Sequence, residues 1–346
     1  MTTLADLGEM QLIDQVLLPG VSGALKGDDC ALVLVDGAAV LWSIDPCPIP
    51  VADLLGCCTP EAWGCLAATI NLSDIAACGG RPIGLLASLE LPDDTDISFV
   101  ERFQAGLLAT LAASGAQLLG GNVKSSARFS VTGSVLGRAG ARPVTRRIAA
   151  SECGVYVIGS SGSFWAAVAG QNAGWAEGGV PGEELLMPAL LAPVAQTQAG
   201  AILSGLPFDV ACMDCSDGVG SAVQQLAIAN NIDILLDNEP AWTVGAGVRD
   251  ALAATGHAID NACYLFGDWQ LACVVACADQ AAFEKALRDV PLTRLGKGVG
   301  GSGNVQTHDG RKFAPHVMNK NFAGGYNSVR CIEDLIGRFL ETPALC

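Results

Sequence analysis

The sequence has 346 residues, which at roughly 150 residues per domain suggests two domains. An apolar fraction of 51% against 16% charged residues supports a sizeable core and excludes intrinsic disorder. Nineteen Lys and Arg against 35 Asp and Glu give a formal charge of −16, the wrong sign for a general nucleic-acid binder.

Aromatic residues make up only 5%, whereas there are 42 glycines, a profile that predicts a compact α/β protein with many tight turns. Residues 1–14 carry acids and no basic segment before a hydrophobic core, so no signal peptide is expected. No apolar run reaches the ~18 residues of a membrane span; the greasiest stretch, 185–195, is broken by Pro188 and Pro193. Most of the fourteen cysteines sit in apolar surroundings, as Cys65, Cys78, Cys263 and Cys273 do. Only Cys212 and Cys215 have zinc-type spacing, and no histidine lies near them in sequence. The expected compartment is a reducing cytoplasm.

Along the chain, 30–35 and 40–44 read as strands around an Asp36-Gly37 turn. Residues 61–78 form a helix stopped by Gly79-Gly80, and 84–91 a strand closed by Pro92-Asp93-Asp94. Ile97, Val100, Phe103, Leu107 and Leu111 follow at helical spacing. A short strand ending at Leu119, a glycine loop and an alternating strand over 129–136 complete the first half. Four arginines, Arg138, Arg142, Arg146 and Arg147, mark the expected boundary between a domain of 1–147 and one of 148–346. They read either as a solvated linker or as an anion site. The pattern then restarts: strand 155–158, helices through 199, strand 208–213, helix 219–229, strands 232–236 and 271–275, and a helix near 281–290. The polar, glycine-rich stretch 296–310 reads as loop, including its Gly298, Gly300, Gly303 string, which no strand-helix-strand unit follows.

The acids are placed unevenly. Asp28 and Asp29 precede a strand, Asp45 ends the next, Asp74 lies inside an apolar helix, and Asp214 and Asp217 bracket Ser216 at a strand-to-helix turn. Helix capping and turn formation explain Asp36, Asp93 and Asp96 well, but not Asp74. Converging carboxylates about 5 Å apart would repel by roughly 3 kcal/mol at an effective dielectric of 20, a penalty that a divalent cation removes. Leu118-Leu119-Gly120-Gly121-Asn122 runs from an apolar strand into paired glycines, where backbone N–H groups can approach a phosphate, and Lys124 adds a point charge.

Taken in order, these strings resemble the thiamine-monophosphate kinase family, within the superfamily of aminoimidazole ribonucleotide synthetase, selenophosphate synthetase and the hydrogenase-maturation dehydratase. The matching strings are Gly27-Asp28-Asp29-Cys30-Ala31, Ser43-Ile44-Asp45, and Asn71-Leu72-Ser73-Asp74-Ile75-Ala76-Ala77 with Gly79 and Pro82. Leu91-Pro92, Gly120-Gly121-Asn122, Thr145-Arg146, Asp214-Cys215-Ser216-Asp217-Gly218 and Gly325-Tyr326 continue the series. The resemblance implies a two-domain α/β (α+β type) fold whose N-terminal domain dimerises through a barrel-like sheet interface, with ATP between the lobes. It implies γ-phosphoryl transfer from ATP to a small phosphorylated metabolite, thiamine monophosphate by default. Asp28, Asp29, Ser43, Asp45, Asp74, Asp214 and Asp217 would hold Mg²⁺, with catalytic roles for Asp45, Asp74 and Asp217. Gly120, Gly121, Asn122, Lys124, Arg146 and Ser216 would meet ATP, and Asp268, Trp269 and Tyr326 the acceptor.

The departures cluster at acceptor positions. The family's Val-Glu-Gly-x-His run is replaced by Pro46-Cys47-Pro48-Ile49-Pro50-Val51-Ala52, so the His position falls on Ala52. Asn122 replaces an Asp, and the late Gly-Gly-Glu-Asp-Tyr-Glu-Leu element is reduced to Gly267-Asp268-Trp269-Gln270-Leu271. Two further readings stand beside the kinase. One is a synthetase or dehydratase that activates an amide-type oxygen, since Cys346 is similar to the C-terminal cysteine that the maturation dehydratase modifies. The other is a nucleotide-binding regulator without turnover.

Overall fold

The computed structural model describes residues 3–4, 9–23, 25–175, 179–318 and 325–346. Of the N-terminal residues read above for a leader, 1–2 and 5–8 lie outside the described residues. Among the described residues no helix is long and apolar enough to cross a membrane.

The first half builds a five-stranded sheet from β1 (Ala31–Val35), β2 (Ala38–Pro46), β3 (Arg81–Leu91), β4 (Gln117–Ser125) and β5 (Ser130–Arg138). The strand order is β1-β2-β5-β3-β4, antiparallel except for the parallel β3–β4 pair. Asp36 and Gly37 both take positive φ, 49° and 82°, as a two-residue hairpin turn requires. A short helix, α1 (Val51–Leu54), follows β2, and α2 (Pro60–Ala77) and α3 (Ile97–Ala113) then pack on one face of the sheet. Thr59 caps α2 by accepting from the Ala62 amide, and Pro60 occupies its first turn, where no amide is needed.

From Gly64 onward almost every residue of α2 is buried, polar ones included. A helix enclosed on all sides has a neighbour on every face. One is α3, which crosses at two glycines: a Cβ on Gly64 would lie 2.0 Å from the Phe103 carbonyl oxygen, and one on Gly106 2.1 Å from that of Glu61. Arg102 of α3 adds a two-pronged ion pair to Glu61, at 2.6 and 2.9 Å.

The second half forms a six-stranded sheet in the order β11-β8-β10-β6-β9-β7. Its strands are β6 (Glu152–Ile158), β7 (Val210–Asp214), β8 (Ile232–Leu236), β9 (Leu271–Ala276), β10 (Leu292–Gly300) and β11 (Val305–Thr307). Helices α4 (Ser163–Asn172), α5 (Glu183–Leu191), α6 (Thr197–Leu203) and α7 (Val219–Asn230) surround it. The halves share a core in which Ala76 and Ala77 of α2 pack with Val144, Leu203, Val210 and Cys212.

Two glycine-rich loops expected from the sequence are strands instead. Gly120, Gly121 and Asn122 continue β4 alongside β3, and a Cβ on Gly121 would lie 1.9 Å from the Ala87 carbonyl oxygen. Residues 296–300 belong to β10, paired with both β6 and β8, where a Cβ on Gly296 would lie 2.2 Å from the Leu235 carbonyl oxygen. At both places glycine permits close strand contact rather than a turn.

The α2–α3 crossing sets the expected sign of one substitution. Gly106→Ala gains about 1 kcal/mol of helix propensity but forces two backbones apart, so a net loss of about 2 kcal/mol is expected in urea unfolding. A neutral or stabilised variant would contradict so close an approach.

Candidate functional site

Four separate chain segments deliver acids to one point. In β2, Leu41 and Ser43 are buried toward α2, and Asp45 lies two residues further along the same face. Asp74 projects from the last turn of α2, Asp29 precedes β1, and Asp214 is the last residue of β7. Carboxylate oxygens of Asp29, Asp74 and Asp214 lie within 4.8 Å of one another. The Ser43 hydroxyl donates to Asp74. Asp74 also shares a hydrogen bond with Asp45, which requires a proton on one of the two. Burial, then the charges of Asp45, Asp214 and Asp29, hold Asp74 far above the usual carboxylate range, so the proton belongs there. Burial, then Asp29, pushes Asp214 up to about 8, and burial also raises Asp45 and Asp28.

Arg146 is the cation that answers this charge. Its guanidinium donates to Asp29 at 2.5 Å, and its backbone amide donates to Asp28 at 2.6 Å. Asn230 of α7 fixes the segment by donating to the Arg146 carbonyl at 2.9 Å and accepting from the Ile148 amide at 2.7 Å. The Arg146 Nε is buried without a partner.

The acid cluster adjoins a cavity of about 570 Å³. Asp45, Ser216 and Asp217 line it at the acidic side, and Ser216 donates to Asp214 at 3.1 Å. Phe164, Phe266, Trp269 and Tyr326 supply aromatic surface, and 46–50 form an apolar strap, pinned where the Tyr326 hydroxyl donates to the Ile49 carbonyl. No Lys, Arg or His is among the described residues lining the cavity.

Several expected residues are thus brought together: Asp29, Ser43, Asp45, Asp74, Arg146 and Asp214 at the cluster, and Asp45, Ser216, Asp217, Trp269 and Tyr326 along the cavity. Asp28 is turned to the Arg146 amide instead. Gly120, Gly121, Asn122 and Lys124 lie on the exposed edge strand β4, outside the cavity lining. Asp268 does not line it either; it accepts from the Gly162 and Phe164 amides at 2.6 and 2.8 Å, and burial pushes it up to about 7. The four arginines disperse: Arg146 turns inward, while Arg142 pairs with exposed Asp209 at 3.2 Å. Ala52 is fully buried in α1 and does not line the cavity. Phe164 and Phe266 were not anticipated; the only sequence signal was that Phe164 follows Gly162-Ser163 and Phe266 precedes Gly267.

Oxygen donors from rigid elements, carrying surplus negative charge, suit a hard divalent cation. Ionised carboxylates within 4.8 Å of one another repel by about 3.5 kcal/mol or more per pair at an effective dielectric of 20, which such an ion would relieve.

The two-sheet architecture and the acid-lined cavity place the chain in a recognisable class: residues 27–139 match the family described as AIR synthase related protein, N-terminal domain. The thiamine-monophosphate kinase of Halobacterium salinarum is 30% identical over 251 residues, 69% of this chain and 80% of that protein. That of Synechococcus elongatus is 26% identical over 309 residues, 85% and 92% of the two chains. The solved structure of AaThiL complexed with AMPPCP and TMP superimposes with a TM-score of 0.76 at 26% identity, covering 91% of this chain and 97% of its own. The chain belongs to the thiamine-monophosphate kinase family.

The raised carboxylates bind protons more tightly when folded than when unfolded. Their stabilisation is therefore complete below the unfolded pKa, near 4, and is lost as pH rises through the folded value, about 8 for Asp214. A divalent cation held by these carboxylates would displace those protons, so added Mg²⁺ should raise the Tm more at pH 8 than at pH 5. Equal increments in a thermal scan would remove the cluster as the binding point.

Proposed function

We propose that this protein transfers the γ-phosphoryl group of ATP to the phosphate of thiamine monophosphate, giving ADP and thiamine diphosphate. The observation that carries the reading is a single cavity with carboxylates from both halves of the chain at one side and an aromatic surface at the other. Family membership and the likeness to AaThiL, a structure holding AMPPCP and TMP, support it.

In this reading the acceptor phosphate oxygen, already anionic at neutral pH, forms a bond to the γ-phosphorus as the bond to the β–γ bridging oxygen breaks. No covalent enzyme intermediate is required, so positioning and charge neutralisation carry the rate. Asp29, Asp45, Asp74, Asp214 and Asp217 would hold Mg²⁺, with Ser43 orienting Asp74 and Asp28 fixing the Arg146 segment. Bound there, Mg²⁺ would screen the phosphate charges that a cavity lined by Asp45 and Asp217 otherwise repels. Arg146, with its unpartnered Nε, and Ser216 would meet the triphosphate. Trp269, Tyr326, Phe164 and Phe266 would receive the acceptor's cationic thiazolium ring through their π faces.

The residues of β4 would serve the site only through a second copy. The sheet face opposite α2 and α3 exposes Trp42, Ile44 and Leu86, with Ile44 66% exposed, an apolar surface suited to a homodimer interface. The reading also takes 1–147 and 148–346 as the two domains and the cytoplasm as the compartment. Cys346, whose backbone pairs with Lys312 at 2.7 and 2.9 Å, does not line the cavity, so nothing here favours amide activation.

Purified protein with Mg²⁺, ATP and thiamine monophosphate should yield ADP and thiamine diphosphate. Release of inorganic phosphate without the diphosphate would refute the proposal. Asp74→Asn should lower kcat by about a thousandfold. Its Tm should stay equal or rise, because the amide is neutral without the proton that buried Asp74 takes up on folding.

A further inference from the structure

We infer that Asp268 is a positioning residue for acceptor binding: its carboxylate clamps the N-terminus of α4 to the turn before β9 and so holds the aromatic wall together. The inference rests on the kinase reading above and assigns to Asp268 a role other than direct contact with the acceptor.

The geometry begins at the helix end. Gly162 is the N-cap of α4, at φ 81°, and a glycine offers no side chain to cap the orphan amides of the first turn. Asp268 does so from another part of the chain, accepting from the Gly162 amide through Oδ2 at 2.6 Å and from the Phe164 amide through Oδ1 at 2.8 Å. A carboxylate at a helix N-terminus also meets the positive end of the helix dipole. With both oxygens turned to these amides, Asp268 does not line the cavity.

Its immediate neighbours do. Gly267 and Trp269 lie on the cavity wall beside Phe164 and Phe266. Gly267 packs so tightly that a Cβ would fall 2.2 Å from the Phe164 ring, and at φ 118° it occupies a region open chiefly to glycine. Trp269 takes φ 52°, unfavourable for a bulky residue, so the surroundings must hold it there. The clamp is the charged part of those surroundings. Trp165 adds a hydrogen bond from Nε1 to the Phe266 carbonyl at 2.8 Å. On the far side, the Gln270 side chain donates to Ser161 at 3.0 Å, and its carbonyl accepts from the Cys215 amide at 2.9 Å. The turn is thus bound to the Asp214–Ser216 segment by backbone, and to the aromatic wall by Asp268.

This division predicts which kinetic constant responds. The wall faces the acceptor's ring, remote from the phosphorus, and would contact it alike in the ground and transition states. Loss of such uniform binding raises KM and spares kcat.

Wild type, Asp268→Asn and Asp268→Ala are compared by steady-state kinetics and by equilibrium binding of thiamine without ATP. Asp268→Ala should raise the KM for thiamine monophosphate about tenfold and weaken thiamine binding equally, with kcat and the KM for ATP within about threefold of wild type. Asp268→Asn, which keeps one acceptor oxygen, should fall between, and it decides the matter by the same split if the alanine variant does not fold. An unchanged acceptor KM in an active series overturns this inference alone, as does a joint change in kcat and both KM values. A wild type that binds thiamine without forming the diphosphate refutes the kinase reading, and thiamine binding by the variants then decides the clamp. Failure of the wild type to bind thiamine overturns both.

Discussion

Everything at the centre of this protein depends on holding several carboxylates together where water cannot separate them. Asp29, Asp74 and Asp214 approach within 4.8 Å, and burial with mutual repulsion raises Asp74 and Asp214. Left alone they would drive apart the elements that carry them. Arg146, a proton on Asp74 and the Ser43 hydroxyl are the compensations within the chain. Such crowding costs folding stability, as functional sites commonly do.

The scaffold answers with rigid, closely crossing backbone around α2. Glycines admit α3 at Gly64 and Gly106, and α6 at Gly200, whose Cβ would lie 2.3 Å from the Ala76 carbonyl oxygen. Thr69, fully buried, donates to the Pro193 carbonyl at 2.8 Å, tying the same helix to the second half. The helix that carries Asp74 is therefore gripped by both halves at once. That grip fixes the distance from β2 to β7, on which the spacing of the acids depends. The aromatic wall is assembled on the same plan: Phe164 from a helix, Phe266 and Trp269 from a turn, Tyr326 from a distant segment.

Much of the site was legible because it breaks local rules. An Asp inside an apolar helix, and acids at the ends of apolar strands, are placements that capping and turns do not account for, and Asp74, Asp45 and Asp214 do converge. Glycine was the less faithful guide. At 120–121 and 296–300 it signalled close contact between strands, which local sequence cannot distinguish from a turn because the partner strand lies far away in the chain. Asp268 was expected at the acceptor from the family resemblance alone, and its different placement depends on the amides it accepts from, more than a hundred residues upstream.

The sequence by itself determined the alternation of strands and helices, the acidic character of the site and the family resemblance, since each is written in residue type and local spacing. Tertiary structure alone decided which of Asp28 and Asp29 joins the cluster, where Arg146 points, and that β4 stands away from the cavity. Those outcomes follow from contacts between segments separated by up to a hundred residues or more. Orientation and dielectric at such contacts are set by packing, which no local pattern encodes.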